Sequence, residues 1–164
     1  MAAPPDQAMD LERTASLDTE TVQFLATQLI FEFGHLYPTW DLASAINELR
    51  EDNGAGIPIH VAAIENGQAI GIASIIPDDE VTGWEGKEAW LANVLVLQEF
   101  RNRGIGGELV EGVIEIAREN KVRDLHLVTD TAEQWYLEKG WETVGVGQVH
   151  GHQMTVMHFG FVSL

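Results

Sequence analysis

The spacing of apolar residues predicts two helices in the first third of the chain. Residues 18–21 are typical of a helix N-terminus, and the apolar residues that follow at helical spacing are Val22, Leu25, Leu29 and Phe33. Pro38 and Thr39 begin the second predicted helix, which ends at 53–56 and whose buried stripe is Leu42, Ala45, Ile46 and Leu49. Residues 1–9 are predicted to be disordered, and a short strand is predicted around 11–17.

The middle of the chain changes to the pattern of β-strands. Segments 58–64 and 68–76 are rich in β-branched residues, and Asn66-Gly67 between them predicts a hairpin because both residues tolerate a positive φ. A polar loop is predicted from Pro77 to about Lys87. The segment 89–97 is almost wholly apolar, which predicts a strand buried on both faces in the centre of a sheet.

The last third alternates between helices and strands. A glycine-rich turn at 101–107 precedes a helix marked by Ile105, Leu109, Val113, Ile116 and Ala117. A strand at 124–129, a helix at 131–139 ended by Gly140, and paired strands at 141–146 and 153–161 complete the chain. The predicted order is β-α-α-β-β-β-α-β-α-β-β, which indicates one mixed α/β domain over residues 10–164 with a parallel strand–helix–strand crossover. The aromatic residues predicted to lie in the core are Phe24, Phe31, Trp141 and Phe159.

Composition narrows the classes of partner. The 164 residues include 26 acidic and 9 basic side chains, a formal net charge of −17. This charge argues against binding to nucleic acid or to an anionic membrane, since both need a basic surface. With no cysteine, the sequence has no disulfide, thiolate metal site or thiol nucleophile. With no 18-residue apolar run and no apolar leader at the N-terminus, we expect a cytoplasmic protein.

The charge is uneven, and this points to one segment. The first hundred residues hold 17 acidic and three basic groups, whereas the remainder holds nine acidic and six basic groups. Two of the later basic residues, Arg101 and Arg103, lie in the turn before a predicted helix, where glycines and free backbone N–H groups favour a phosphate. The turn lacks the Gly-Lys-Ser/Thr end of a Walker A loop, and Leu109 stands where a dinucleotide-binding fingerprint needs its last glycine. An ordinary β–α turn remains the alternative.

Two motifs resemble one family. Arg101-x-x-Gly104-x-Gly106 after a buried strand resembles motif A of the GNAT superfamily of N-acetyltransferases, and Trp135-Tyr136-x-x-x-Gly140-Trp141 resembles the aromatic motif that follows it. The resemblance covers about residues 18–161. It implies the GNAT fold, a mixed α/β sheet splayed between its fourth and fifth strands, here 89–97 and 124–129.

The resemblance also implies a cofactor, a reaction and a catalytic acid. Acetyl-CoA would donate an acetyl group directly to a primary amine without an acyl-enzyme. The expected cofactor-binding residues are Val94, Leu95, Val96, Arg101, Asn102, Arg103, Gly104, Ile105, Gly106, Gly107 and Thr129. Tyr136 takes the place of the family's general acid, which protonates the departing thiolate. The alternative for Tyr136 is packing beside Trp135.

The general base and the acceptor-binding residues do not follow from the two motifs. Many family members have a Glu near the positions of Trp90 and Ala92, which cannot accept a proton, so Glu88 is the candidate base, with a solvated charge as the alternative. The expected acceptor-binding residues are Tyr37, Trp84 and Glu85, with Trp40 beside them; these aromatic residues could instead cover the core. The run 78–80 forms an acidic rim for a cationic acceptor or, alternatively, a solvated loop.

The sequence therefore predicts an acetyl-CoA-dependent N-acetyltransferase whose acceptor is a small amine, an aminoglycoside or a peptide amine. Two interpretations remain beside it: a non-catalytic acyl-CoA-binding or sensing module, and a nucleotide-binding domain. His150-x-His152 is interpreted as a hairpin turn rather than a metal site, and no metal is expected. A homodimer is possible, with the last strand pairing across it.

Overall fold

The computed structural model describes residues 9–52 and 56–161. Most of the predicted disordered N-terminus, and most of the predicted end of the second helix at 53–56, lie outside the described residues. The helices are α1 (Thr19–Phe33), α2 (Leu42–Arg50), α3 (Ile105–Glu119) and α4 (Glu133–Leu137). The strands are β1 (Asp10–Arg13), β2 (Ile59–Glu65), β3 (Gln68–Ile76), β4 (Val81–Thr82), β5 (Trp90–Val96), β6 (Asp124–Thr129), β7 (Glu142–Val149) and β8 (His152–Gly160).

The described strands form one mixed sheet in the order β1-β2-β3-β5-β6-β8-β7-β4. Every neighbouring pair is antiparallel except β5 and β6, the strands on either side of the α3 crossover. The predicted mixed α/β fold and its element order are confirmed, with β4 as an addition. Val81 of β4 is buried and pairs with Val149 of β7, so part of the predicted polar loop belongs to the sheet.

Short polar side chains fix the helix starts. Asp18 caps α1 by accepting a hydrogen bond from the Thr21 N–H at 2.8 Å, as predicted. Asp41 caps α2 in the same way through the Ser44 N–H at 2.8 Å, so that helix begins after the predicted Pro38 and Thr39. The predicted helix at 131–139 is shorter, since α4 covers only Glu133–Leu137.

Both predicted hairpins are present, and each turns through two residues. Asn66 and Gly67 have φ values of 52° and 76°, and His150 and Gly151 have φ values of 47° and 85°. The hairpin interpretation of the His150 segment is therefore confirmed. β8 pairs with β6 on one side and with β7 on the other, so the prediction that the last strand pairs across a dimer is wrong.

Helices cover both faces of the sheet. The stripe of α3, including Leu109 and Val113, packs on one face, and α1 and α2 pack on the other face. Trp141 is buried as predicted, but the predictions for Phe24 and Phe31 are wrong: these side chains are 41% and 85% exposed because they lie outside the buried stripe of α1. No helix within 9–52 and 56–161 is long and apolar enough to cross a membrane.

Candidate active site

The parallel strands β5 and β6 separate soon after they meet. Their register contains one pair, Trp90 with His126, and the His126 N–H donates to the Ala89 carbonyl at 3.0 Å. Beyond this pair a cavity of about 570 Å³ opens between 91–94 of β5 and 127–132, at the end of β6. The predicted splay is confirmed, and it leaves backbone groups on one edge of β5 available to a ligand.

A bulge in β5 shapes the wall of this cavity. The register between β3 and β5 shifts next to Asn93, whose φ is 59°. The Asn93 amide donates to Ser74 Oγ at 3.1 Å, and His60 Nδ1 lies 2.7 Å from the same oxygen. Burial lowers the pKa of His60 to about 4, so its imidazole is neutral at pH 7. His60 and Asn93 line the cavity together with Val94.

Tyr136 of α4 lines the same cavity. Its ring packs edge-on against Trp135 and Trp141, with centroids 4.8 and 5.8 Å away, and the residue is 8% exposed. Burial raises the pKa of Tyr136 to about 12, and within the described part of the chain its hydroxyl has no hydrogen-bond partner. The side chain is thus a weak acid that keeps its proton at neutral pH.

Carboxylates line the part of the cavity formed by α1, α2 and the β3–β4 loop, namely Glu32, Glu48, Glu51, Asp78, Asp79 and Glu80. Asp79 is 7% exposed, and the Tyr37 hydroxyl donates to its Oδ1 at 2.6 Å. Burial, aided by neighbouring carboxylates, raises the pKa of Asp79 to about 7, although the bond from Tyr37 opposes this rise. No lysine or arginine of the described segments lines the cavity. The cavity therefore favours a cationic ligand.

The glycine turn lies at the N-terminus of α3. Gly104 is the N-cap, with a φ of 78° and no side-chain cap, so the first backbone N–H groups of this helix have no intrahelical partner. Arg101 Nε donates to the Val96 carbonyl at 2.9 Å, which holds the turn against β5. Arg103 forms an ion pair with Glu65 at 2.8 Å. A helix of 15 residues with a bare N-terminus and an arginine beside it is suited to an anion.

A third cation, which the sequence did not reveal as part of the turn, comes from the end of α4. A Cβ added to Gly107 would lie 3.4 Å from Lys139 Nζ, and a Cβ added to Gly106 would lie 3.5 Å from the Trp135 ring. The same lysine lies over that ring at 4.2 Å. The four-residue spacing from Trp135 to Lys139, typical of a cation–π pair on a helix, is the signal that could have identified it.

Several predicted residues lie away from this cavity. Trp84 and Glu88 line a second cavity beside His126 and His158, at the end of the sheet where β5 and β6 are still paired. Glu85 lines neither cavity and accepts a hydrogen bond from the Gly83 N–H at 2.9 Å. The structure therefore does not bring Glu88, the candidate base, or Trp84 and Glu85, the candidate acceptor residues, together with Tyr136.

Other predicted residues lie at the cavity or face a different way. Tyr37, Trp40, Val94 and Thr129 line the cavity. The Thr129 hydroxyl also accepts from the Ala132 N–H at 2.9 Å, which orders the turn before α4. The Leu95 side chain is buried in the core formed with α1 and α2, so only its backbone can face a ligand.

The chain matches one protein-family model and shares its fold with several solved structures. A family model described as the acetyltransferase (GNAT) family matches residues 22–140. Among solved structures, an aminoglycoside 6'-N-acetyltransferase complexed with coenzyme A aligns with a TM-score of 0.71 at 17% identity, covering 94% of this chain and 98% of that one. PaiA N-acetyltransferase of Thermoplasma acidophilum, also complexed with coenzyme A, aligns with a TM-score of 0.68 at 11% identity, covering 94% and 99%.

A longer enzyme contains the same fold. N-acetylglutamate synthase of Neisseria gonorrhoeae, complexed with coenzyme A and N-acetyl-glutamate, aligns with a TM-score of 0.70 at 14% identity. The match covers 95% of this chain and 36% of that one, so the chain spans about a third of that protein. None of the curated protein sequences matches. The family model covers well over half of the residues, and the chain belongs to the acetyltransferase (GNAT) family.

Proposed function

We propose that the protein is an acetyl-CoA-dependent N-acetyltransferase whose acceptor is a positively charged primary amine. The observation that carries the proposal is the cavity between β5 and β6, which combines a protonated Tyr136 with carboxylates and with no lysine or arginine in its described lining. Family membership supports acetyl transfer, and the carboxylates support a cationic acceptor.

The residues present fit coenzyme A. The bare N-terminus of α3, together with Arg101 and Lys139, suits the pyrophosphate, and Trp135 and Lys139 lie close to Gly106 and Gly107 of the turn. The unpaired edge of β5 at 94–96 suits the amide groups of the pantetheine arm. When bound, acetyl-CoA supplies an acetyl group activated as a thioester. The solved relatives complexed with coenzyme A agree with this assignment.

Two groups of this chain then contribute to the chemistry. A backbone N–H near Val94 stabilises negative charge on the carbonyl oxygen under attack, an effect commonly worth about 3 kcal/mol in the transition state. Tyr136 donates its hydroxyl proton to the departing sulfur. Its raised pKa of about 12 keeps that proton in place until the sulfur becomes basic.

The acceptor classes to test come from the charge of the cavity and from the named relatives. One relative is an aminoglycoside acetyltransferase, and another was solved with N-acetyl-glutamate. The carboxylates in this cavity favour aminoglycosides, small diamines and basic peptide amines over the amino group of an acidic amino acid.

The direct test is an amine panel, with release of the CoA thiol as the measurement. We expect turnover with cationic primary amines and little turnover with glutamate. In a parallel thermal-shift assay, acetyl-CoA should raise Tm, whereas ATP and NAD should leave Tm close to that of the unliganded protein. A shift with ATP or NAD but not with acetyl-CoA would contradict the proposal and favour a nucleotide-binding domain.

A second candidate is a non-catalytic acyl-CoA sensor of the same fold. Trp90 and Ala92 favour it, because neither can act as a base where the family often carries a Glu. The same two assays distinguish the candidates: a sensor shows the Tm shift with acetyl-CoA but releases no thiol with any amine.

A further inference from the structure

Acetylation of an ammonium group requires a proton acceptor, and Glu88 does not line the cavity that holds Tyr136. We propose that Asp79 is this acceptor: it binds the ammonium group of the amine and takes its proton, while Tyr37 holds the carboxylate in position. This inference rests on the proposed function and assigns its missing base.

The first support is where Asp79 lies and how it is held. It follows the end of β3, lines the same cavity as Tyr136 and is 7% exposed. The Tyr37 hydroxyl fixes Oδ1 with a hydrogen bond of 2.6 Å. In the described parts of the chain Oδ2 has no hydrogen-bond partner, so one oxygen is held and the other is available to an ammonium group.

The second support is the contrast with neighbouring carboxylates. Asp78 is exposed, and its Oδ1 accepts from the Glu80 N–H at 2.9 Å. Glu80 is exposed and lies 3.3 Å from His150 Nε2. Asp79 is buried, and its hydrogen-bond partner among the described residues is the neutral Tyr37 hydroxyl rather than a cation. A carboxylate buried without a cation is costly, and such groups concentrate at functional sites.

Electrostatics tune this carboxylate for proton transfer near neutrality. Burial raises the pKa of Asp79 to about 7, with Glu80, Asp78 and Glu48 adding to the rise. The other titratable groups that line the cavity are Glu32, His35, Glu51, His60, Asp130 and Tyr136, and His150 packs against the Tyr37 ring at 5.9 Å. A base whose pKa lies near the working pH is the most effective kind of proton acceptor.

The protons balance in this scheme. Asp79 takes one proton from the ammonium group, which leaves a free amine. Nitrogen attacks the thioester carbonyl, the N–C bond forms, the C–S bond breaks, and Tyr136 gives its proton to sulfur. The second proton on nitrogen returns to Tyr136, and Asp79 releases its own proton to solvent. The sum is one amide, one thiol and one proton from an ammonium ion and a thioester.

The test is Asp79→Asn, which keeps the shape and the acceptor oxygen for Tyr37 but cannot take a proton. For an alkylammonium acceptor, kcat/KM in the wild type should rise with pH through about 7, because Asp79 acts when ionised. Asp79→Asn should remove this acidic limb and lower kcat/KM at pH 7.5 about 100-fold or more. For an amine that is already neutral at this pH, kcat/KM should fall less than about 10-fold, since this amine needs no deprotonation before attack. A general loss of structure would instead lower kcat/KM equally for both acceptors.

Matched variants separate the alternatives. Glu111→Gln removes an exposed carboxylate of α3 and should keep the wild-type profile. Tyr37→Phe should keep the acidic limb but move it to higher pH, because the hydrogen bond from Tyr37 lowers the pKa of Asp79. An acidic limb that survives Asp79→Asn, or that Glu88→Gln removes instead, overturns the proposal.

A titration that does not depend on turnover tests the assignment of Asp79 independently. In the wild type, ¹³C NMR of labelled aspartate carboxyl carbons should show one group titrating near pH 7, and this signal should vanish in Asp79→Asn. Absence of any such group overturns the assignment of Asp79. A wild type that acetylates no amine refutes the proposed function and the role of Asp79 with it, whereas an active wild type with an unchanged Asp79→Asn profile refutes only the role of Asp79.

Discussion

At the scale of single residues, the cavity is lined by two tyrosines with different surroundings, the half-buried Tyr37 and the buried Tyr136. The Tyr37 hydroxyl is committed to Asp79 by a hydrogen bond of 2.6 Å, and burial together with that carboxylate raises the pKa of Tyr37 well above its usual range. The Tyr136 hydroxyl has no such partner within the described residues, so its proton is available to a ligand. The contrast supports the proposed roles of the two hydroxyl groups, positioning for Tyr37 and proton donation for Tyr136.

Replacing Tyr136 with Phe removes the proton donor and keeps the packing against Trp135 and Trp141. We expect kcat to fall about 100-fold, in the range typical of a lost general acid, while the Kd of acetyl-CoA changes less than about 3-fold. Steady-state kinetics and isothermal titration measure the two quantities. Tyr37→Phe is the matched loss of a hydroxyl from the same cavity and should move the pH profile instead. An unchanged kcat in Tyr136→Phe would remove the catalytic role.

His60 links protonation to stability. Burial lowers its pKa from 6.5 to about 4, so below pH 6.5 the unfolded chain takes up a proton that the folded protein does not bind. Stability is therefore lost as pH falls from about 6.5 to about 4, by up to about 3 kcal/mol at the shift cited. We expect His60→Asn, which retains a polar group toward Ser74, to have a flatter decline in the free energy of unfolding over this range.

Because His60→Asn also changes packing, the slope of the free energy of unfolding against pH, rather than its absolute value, tests this prediction. Urea unfolding at several pH values measures the free energy for each variant. His152→Asn removes an exposed histidine and should follow the wild-type slope. If His60→Asn declines as steeply as the wild type, other groups carry the acid sensitivity.

At the scale of elements, the proposed anion site combines the N-terminus of α3 with the turn after α4. α3 contributes its bare N-terminus, and the turn after α4 contributes Lys139, whose Nζ would lie 3.4 Å from a Cβ on Gly107. We expect Lys139→Gln to weaken acetyl-CoA binding about 3- to 10-fold, because a partly exposed charge pair contributes on the order of 1 kcal/mol. The dissociation constant of acetyl-CoA, measured by titration calorimetry at low salt, tests this.

Lys121→Gln is the matched control, since Lys121 follows α3 at the opposite end and lines the second cavity. It should leave the acetyl-CoA affinity near that of the wild type. Equal losses in both variants would mean that net charge, rather than the position of Lys139, governs binding.

The elements also show what sequence patterns can predict. Helix and strand positions follow local periodicity and capping, so the order of elements and the turns at Asn66 and Gly104 were predictable. The position of Glu88 relative to Tyr136 was not predictable, because alternation along a strand gives the face of a residue but not the end at which two strands part. β5 and β6 pair at Trp90 and separate toward Val94, which is a tertiary property. Asp79 gains its burial and its partner Tyr37 from a segment 42 residues away, which no local pattern reveals.

At the scale of the whole molecule, charge is divided between two sites. The net charge of −17 includes the seven carboxylates that line the cavity, whereas Arg101, Arg103 and Lys139 lie at the α3 turn. The molecule as a whole repels anions, so the proposed binding of a pyrophosphate at the turn requires local attraction. The cavity needs no local cation to attract an ammonium group, since its lining and the overall field act in the same direction.

This arrangement predicts a salt dependence that depends on the charge of the acceptor. For a dicationic amine, kcat/KM should fall several-fold as ionic strength rises from about 0.02 M to 0.5 M, because the Debye length shrinks from about 20 Å to about 4 Å and screens the carboxylates. For an amine that is neutral at the assay pH, kcat/KM should fall much less under the same conditions and with the same acetyl-CoA concentration. A neutral amine is not attracted by the carboxylates. The ratio of the two kcat/KM values cancels any effect of salt on acetyl-CoA binding or on folding. A ratio that stays constant would show that the acidity of the cavity does not serve acceptor binding, because attraction between opposite charges cannot escape screening at an accessible site.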